Sequence, residues 1–207
     1  MANINRPKGL IPTQNADGSP WSQGATLFYI PNDGSNSYAI GDIVQLASGS
    51  DTLGVSSITK WAGTVGASTL PVGVIVGIRV ADPGVSLVGN SLALEKTYLP
   101  INSGAHYAYV VTDPSTVFEL QGDSTVWATS NANNNCNVTI TANQTTLGNG
   151  APYSNTVATG PATTNSLPFQ IQGIIQRPDN GYGAYAALLV RFNVHAFMGQ
   201  VTGRTGV

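Results

Sequence analysis

The sequence predicts an all-β fold, a small antiparallel barrel or sandwich with an extended N-terminal arm and a polar insertion. Three observations predict it. Aromatic and β-branched residues gather in short runs separated by Gly, Pro, Asn and Asp turn signals. No stretch carries three turns of helical periodicity with caps. Only 9% of the 207 residues are charged, against about 25% in an average soluble domain. Gly, Ser, Thr and Asn supply the polarity instead, a composition poor for surface helices and good for strands and close protein contact.

Residues 1–24 read as an arm. Pro7, Pro12, Pro20, Gly9, Gly18 and Gly24 interrupt it every few residues, so neither a helix nor a long strand fits. Leu10, Ile11 and Trp21 are apolar anchors on that backbone, which becomes ordered only against its own domain or a neighbour. Residues 25–198 form the body, and 199–207 a mobile tail. Residues 25–31 are a strand ending in Pro31-Asn32-Asp33-Gly34. Residues 38–46 are a second strand, bent or bulged at Gly41-Asp42. Residues 71–80 are a nearly continuous apolar run, fit for a strand covered on both faces.

Residues 106–112 and 116–121 flank Asp113-Pro114-Ser115 and read as a hairpin. A second hairpin joins residues 167–175 to 184–194 around Arg177-Pro178-Asp179-Asn180-Gly181. In its second arm Val190, Phe192 and Val194 alternate with Arg191, Asn193 and His195, which places the apolar three inward and the polar three outward. Residues 122–166, dominated by Asn, Thr, Ala and Gly, read as a surface insertion with little core and one short strand at 136–141. The turn spacing predicts roughly eight to ten strands, and no internal repeat of fixed period is visible.

The chemistry-bearing residues are sparse. Cys136 is alone, so no intramolecular disulfide and no multi-cysteine metal site form. His106 and His195 lack partners at metal spacing. The carboxylates Asp42, Asp51, Asp82, Glu95, Asp113, Glu119, Asp123 and Asp179 are singletons, mostly beside Gly or Pro, where Asp makes Asx turns. No G-x-S-x-G, P-loop or G-x-G-x-x-G occurs. The expectation is a protein without catalytic residues, metal or cofactor. A net charge of −2 with eight scattered cations gives no track for nucleic acid. No apolar window is long enough to span a membrane and no secretory leader is readable, so synthesis in the host cytoplasm is expected. Trp61 and Trp127 read equally as core plugs or interface anchors.

The segments MANINRPKGLIP, YAIGDIVQLA, PVGVIVGIRV, AYVVTDPSTVFELQGD and RPDNGYGAYAALLVRFNVHAFMG together resemble a family of tailed-bacteriophage structural proteins encoded with the head genes. The resemblance implies a capsid decoration (cement) protein on the exterior of the virion. It would clamp major capsid subunits across their seams, with neighbouring copies of itself as further partners and a trimer favoured. The candidate capsid or subunit contacts are Arg6, Lys8, Leu10, Ile11 and Trp21 in the arm, with Arg191 and Asn193 in the last strand. The rivals are a head–tail joining or tail protein and a glycan-binding module.

Overall fold

The computed structural model of the chain describes residues 3–79, 97–141, 154–198 and 202–206. They are nearly all β, as the sequence predicts. In chain order the strands are β1 (Ile11–Gln14), β2 (Thr26–Ile30), β3 (Tyr38–Ala39), β4 (Ile43–Ser50), β5 (Ser56–Lys60), β6 (Pro71–Arg79) and β7 (Tyr98–Leu99). They continue with β8 (His106–Val111), β9 (Val117–Gln121), β10 (Asn135–Thr139), β11 (Val157–Ala162), β12 (Phe169–Ile174) and β13 (Ala187–Phe192). These thirteen short strands exceed the expected number because β1, β5, β7 and β11 form in segments not read as strands and one run, 38–46, is split. Residues 38–46 break at Gly41, whose φ of 89° turns β3 into β4.

Strands β2-β5-β4-β6-β8 close into a barrel, and β1-β9-β13-β12-β10-β11 form a six-stranded sheet. That sheet also curls shut, because Gly122, just past β9, meets Ala158 of β11 in a parallel bridge. β3 and β7 form a separate two-stranded ribbon. The expected hairpin around Asp113-Pro114-Ser115 is therefore corrected. β8 belongs to the first barrel and β9 to the second, and that turn is the crossing between them. The β12–β13 hairpin is as expected, with Ile171 opposite Val190 and Phe169 opposite Phe192.

The two barrels repeat one design, which no fixed period in the sequence announces. In each, the first strand pairs in parallel with the third and antiparallel with the fifth, and the second strand lies between the third and fourth. The registers match as well. Val44↔Gly73 and Ile43↔Val74 correspond to Cys136↔Phe169 and Asn135↔Gln170. Gln45↔Thr59 and Leu46↔Ile58 correspond to Asn137↔Thr159 and Val138↔Ala158. Ile75↔Val110 and Gly77↔Tyr109 correspond to Ile171↔Val190 and Gly173↔Leu189, and both ladders skip one residue, Val76 or Gln172, as a bulge. Leu27↔Tyr109 corresponds to Glu119↔Leu189.

Alternation within the strands sorts side chains between two cores. Phe28, Ile30, Val44, Ile58, Ile75 and Val110 fill the first barrel. Ile43, Val74 and Val111 point out of it and join Phe118, Leu120, Phe169, Ile171 and Phe192 in the core of the second. The outer face of the first barrel is thus part of the core of the second. Trp61 and Trp127, at 0% and 1% exposure, are plugs of that second core.

Three further expectations are corrected. The region 122–166 is no surface insertion with little core, since β10 and β11 are two of its strands and Trp127, Cys136, Val138 and Ala158 are buried. The part of it at 142–153 lies outside the described residues. The tail is not loose where described: Gly203 and Gly206 donate main-chain hydrogen bonds to Asn165 O and Thr163 O. The arm is not a separable appendage. β1 pairs antiparallel with β9, Leu10 is fully buried, and Asn3 Nδ2 donates to Gly181 O and Ala184 O.

Leu10→Ala is expected to destabilise the isolated protein by about 2–5 kcal/mol, the range for deleting a fully buried leucine. Deleting residues 1–24 is expected to cost more, by also exposing the edge of β9. Thermal unfolding of the two variants beside the parent checks both.

Candidate functional site

A dense, buried polar cluster lies at the Gly41-Asp42 corner. Asp42 and Lys60 form an ion pair at 2.9 Å, with side chains 0% and 2% exposed. Asp42 Oδ2 also accepts the Ala39 N–H at 2.8 Å, and its Oδ1 accepts the Ser154 hydroxyl. Lys60 Nζ donates to Ser37 O at 3.0 Å, and Ser154 Oγ lies 2.8 Å from Thr156 Oγ1. Carboxylate, amine and hydroxyl side by side resemble catalytic machinery, but all are sealed from solvent and occupied by one another. Asp42 is thus an exception to the Asx-turn reading. Asp51, Asp113 and Asp123 follow it, each accepting the N–H two residues on. Asp82 and Glu95 lie outside the described residues.

His195, expected to face outward, is fully buried, because the chain leaves β13 at Phe192 and bends inward. Its ring packs edge-on against Phe192 and Phe197, and Nδ1 accepts the Phe197 N–H at 3.1 Å. Burial pulls its pKa down to about 4, outweighing the Val72 main chain and the Asp113 carboxylate, which favour the cation. His106 is buried at 6% exposure, with Nδ1 3.0 Å from Gly104 O. Burial pushes the Cys136 thiol up to about 12, which leaves it protonated and unreactive at neutral pH. Among the described residues no three His, Cys, Asp or Glu side chains gather as metal ligands.

The seven proposed contact residues do not converge. Arg6 and Lys8 are exposed and border a hollow of about 200 Å³ with Glu119 and Arg177. Leu10 is in the core. Ile11 and Trp21 are half-buried and line a groove of about 500 Å³. Arg191 is half-buried and donates from Nε and Nη2 to Gln170 Oε1 at 3.0 and 2.8 Å. Asn193 corrects the outward assignment. It is 6% exposed, donates to Asn165 O and Leu167 O, and accepts the Arg204 N–H at 2.7 Å. It ties three segments of its own chain and is buried away from any neighbour.

The groove is lined mainly by apolar side chains. The arm supplies one wall through Leu10, Ile11, Pro12 and Trp21, and the outer face of the first barrel supplies the other through Val76, Gly77 and Tyr109. The bulge at Val76 opens this surface, and the bare Gly77 leaves room for the Tyr109 ring, which is 40% exposed. Sequence reasoning picked Ile11 and Trp21 but missed Tyr109. The strand HYAYVV carries two tyrosines on one face, and only the structure shows that Tyr107 is covered at 2% exposure while Tyr109 is open.

Two predictions follow from the buried groups. Lys60→Met leaves Asp42 buried without its cation and is expected to cost about 3–5 kcal/mol, whereas Asp42→Asn combined with Lys60→Met should recover part of that loss; chemical denaturation of the two variants measures the coupling. His195 remains neutral in the folded chain down to about pH 4, while the unfolded chain takes up its proton near the ordinary value of 6.5. Stability is therefore expected to fall as pH drops through 6.5 towards 4 and to lose nothing more from this group below that. His195→Gln should flatten this part of a melting temperature against pH profile.

In comparisons with known proteins, no family, no curated protein and no solved structure matches the chain.

Proposed function

We propose that the chain is a structural protein of a tailed-phage virion. It decorates the capsid exterior, binds across seams between major capsid subunits, and carries no catalytic residues. The apolar groove between arm and first barrel carries the reading: Trp21 and Tyr109 offer aromatic contact area of the kind that anchors protein interfaces. The low charge of the chain and its resemblance to phage head proteins support the same conclusion. Binding only the assembled shell would stabilise that state by mass action.

A glycan-binding surface module is the second reading. Trp21 also borders a polar hollow of about 530 Å³ with Asn15, Asp17 and Asp113, a setting suited to stacking a sugar ring. A glycan array with the isolated protein separates the two.

The test uses phage particles prepared without this chain, incubated with purified protein and sedimented. The parent protein is expected to sediment with the particles. Tyr109→Ser should lose most of that attachment with a nearly unchanged melting temperature, since the ring is partly in solvent. Failure of the parent protein to attach, or its location in the tail in a map of the complete particle, would overturn the decoration role.

A further inference from the structure

The two barrels differ at one edge. In the second, β1 runs antiparallel to β9 on the side away from β13, with Ile11 opposite Glu119 and Pro12 opposite Phe118. Beneath it Thr116, Val117 and Phe118 are buried at 1%, 3% and 0% exposure. The register that matches Leu27↔Tyr109 to Glu119↔Leu189 makes Leu27 the counterpart of Glu119, and residues 24–26 the counterparts of 116–118. In the first barrel this stretch is open. Among the described residues no strand lies beside it on the side away from β8, because β5 reaches β2 only at Tyr29. Residues 22–26 are exposed and Leu27 is half-buried.

The main chain there points outward. In the second barrel the Gly122 N–H donates to Ala186 O at 2.8 Å, towards the β13 side, and the Asp123 N–H donates to Ala158 O at 2.9 Å, the opposite way. Main-chain direction alternates along a strand, so Glu119 faces away from β13, where β1 meets it. Leu27, its counterpart, turns its N–H and C=O to the vacant side. Open edges are usually blunted by charge, proline or a bulge. β1 carries Pro12 on its own edge, but residues 24–27 read Gly-Ala-Thr-Leu, without charge or proline, and the chain departs from the extended conformation only before them, at Gln23 with a φ of 65°.

We propose that this edge of β2 is a strand-acceptor site. It takes an extended, uncharged segment of a different protein chain, antiparallel to β2, in the place that β1 holds on the second barrel. A sister copy does not supply the segment from its arm, because that arm is committed to its own β9 with Leu10 in the core. Main-chain hydrogen bonds provide the affinity, and the half-buried Leu27 and Tyr29 on the outer face provide selectivity. The site stands on the comparison of the barrels and is independent of the virion reading.

The test is amide hydrogen exchange on the full-length isotope-labelled chain, alone and with a capped synthetic peptide of residues 9–16, the sequence that fills the equivalent slot. The Leu27 amide should exchange freely in the chain alone and slow several-fold with peptide, while the Phe28 amide, bonded to β8, stays unchanged. Leu27→Pro should abolish peptide binding and keep the melting temperature. Ala25→Pro, outside β2, asks the same question should the first variant disturb the barrel. An unchanged Leu27 amide at the highest soluble peptide concentration overturns the proposal. So does a Leu27 amide already protected in a chain that light scattering shows to be dimeric, because the edge then belongs to a second copy.

Discussion

The Asp42–Lys60 pair is the constraint on which the rest of the molecule depends. Its corner is where four parts of the chain meet. Leu10 N–H, from the arm, donates to Gly41 O; Gly41 N–H donates to Ile75 O of β6; Ile75 N–H donates to Asp42 O; and Ser154 N–H donates to Ile40 O. Gly9 and Gly41 approach so closely that a Cβ on either would strike the other's backbone, and both have positive φ, 69° and 89°. A buried ion pair is weak support for stability in itself, because desolvation offsets much of the attraction. Its value here is directional. An apolar contact would tolerate sliding, whereas Asp42 accepts bonds from Ala39, Lys60 and Ser154 in one arrangement only. The corner therefore fixes how the arm, the first barrel and the segment leading into β11 sit against one another.

That fixed arrangement explains why two similar barrels are not interchangeable. The arm lies along the second barrel because its Leu10 is held at the corner, and from there the chain reaches only the β9 edge. Among the described residues, no strand lies along the same edge of the first barrel. The groove has the same origin. β1 stands on the second barrel beside the outer face of the first, and the space between them is walled by Ile11 and Pro12 on one side and Val76 and Tyr109 on the other. Both surfaces, the groove and the β2 edge, thus follow from where one short strand is pinned.

Much of the fold was legible in the sequence. The runs 25–31, 71–80, 106–112 and 116–121 all contain strands within a residue or two, because alternation and turn residues are local signals. Partnership was less legible. Asp113-Pro114-Ser115 turns the chain in either a hairpin or a crossing, and long-range packing of Val111 and Phe118 into the second core decides for the crossing. Residues 122–166 looked coreless because their buried apolar residues, Trp127, Cys136, Val138 and Ala158, stand scattered among Asn, Thr and Gly and make no sustained apolar run. The repeat escaped for a different reason. Thr26-Leu-Phe-Tyr-Ile resembles Thr116-Val-Phe-Glu-Leu, yet the ladders set Phe28 against Leu120, two residues away from that likeness. A shift of two keeps the same face inward, so residue identity drifts while geometry holds. At the candidate surface, Ile11 and Trp21 were legible as apolar residues with no periodic element to bury them. Asn193 was misplaced because period-two alternation was carried past the end of β13 into a bend.

The link between the barrels bears on how such a surface works. Only residues 112–116 separate β8 from β9, and Ile43, Val74 and Val111 leave one barrel to pack in the core of the next. Relative motion would expose those side chains, at about 1.5–3 kcal/mol for each aliphatic residue brought to water. The barrels accordingly behave as one body. A partner seated in the groove, which is walled from both, then meets a surface whose two sides are already at their bound separation. It forgoes the ordering cost that a hinged pair of domains would add to binding. Rigidity of this kind would suit the proposed role of holding neighbouring subunits at fixed spacing, and the buried Asp42–Lys60 pair helps to hold the arm and first barrel in one arrangement.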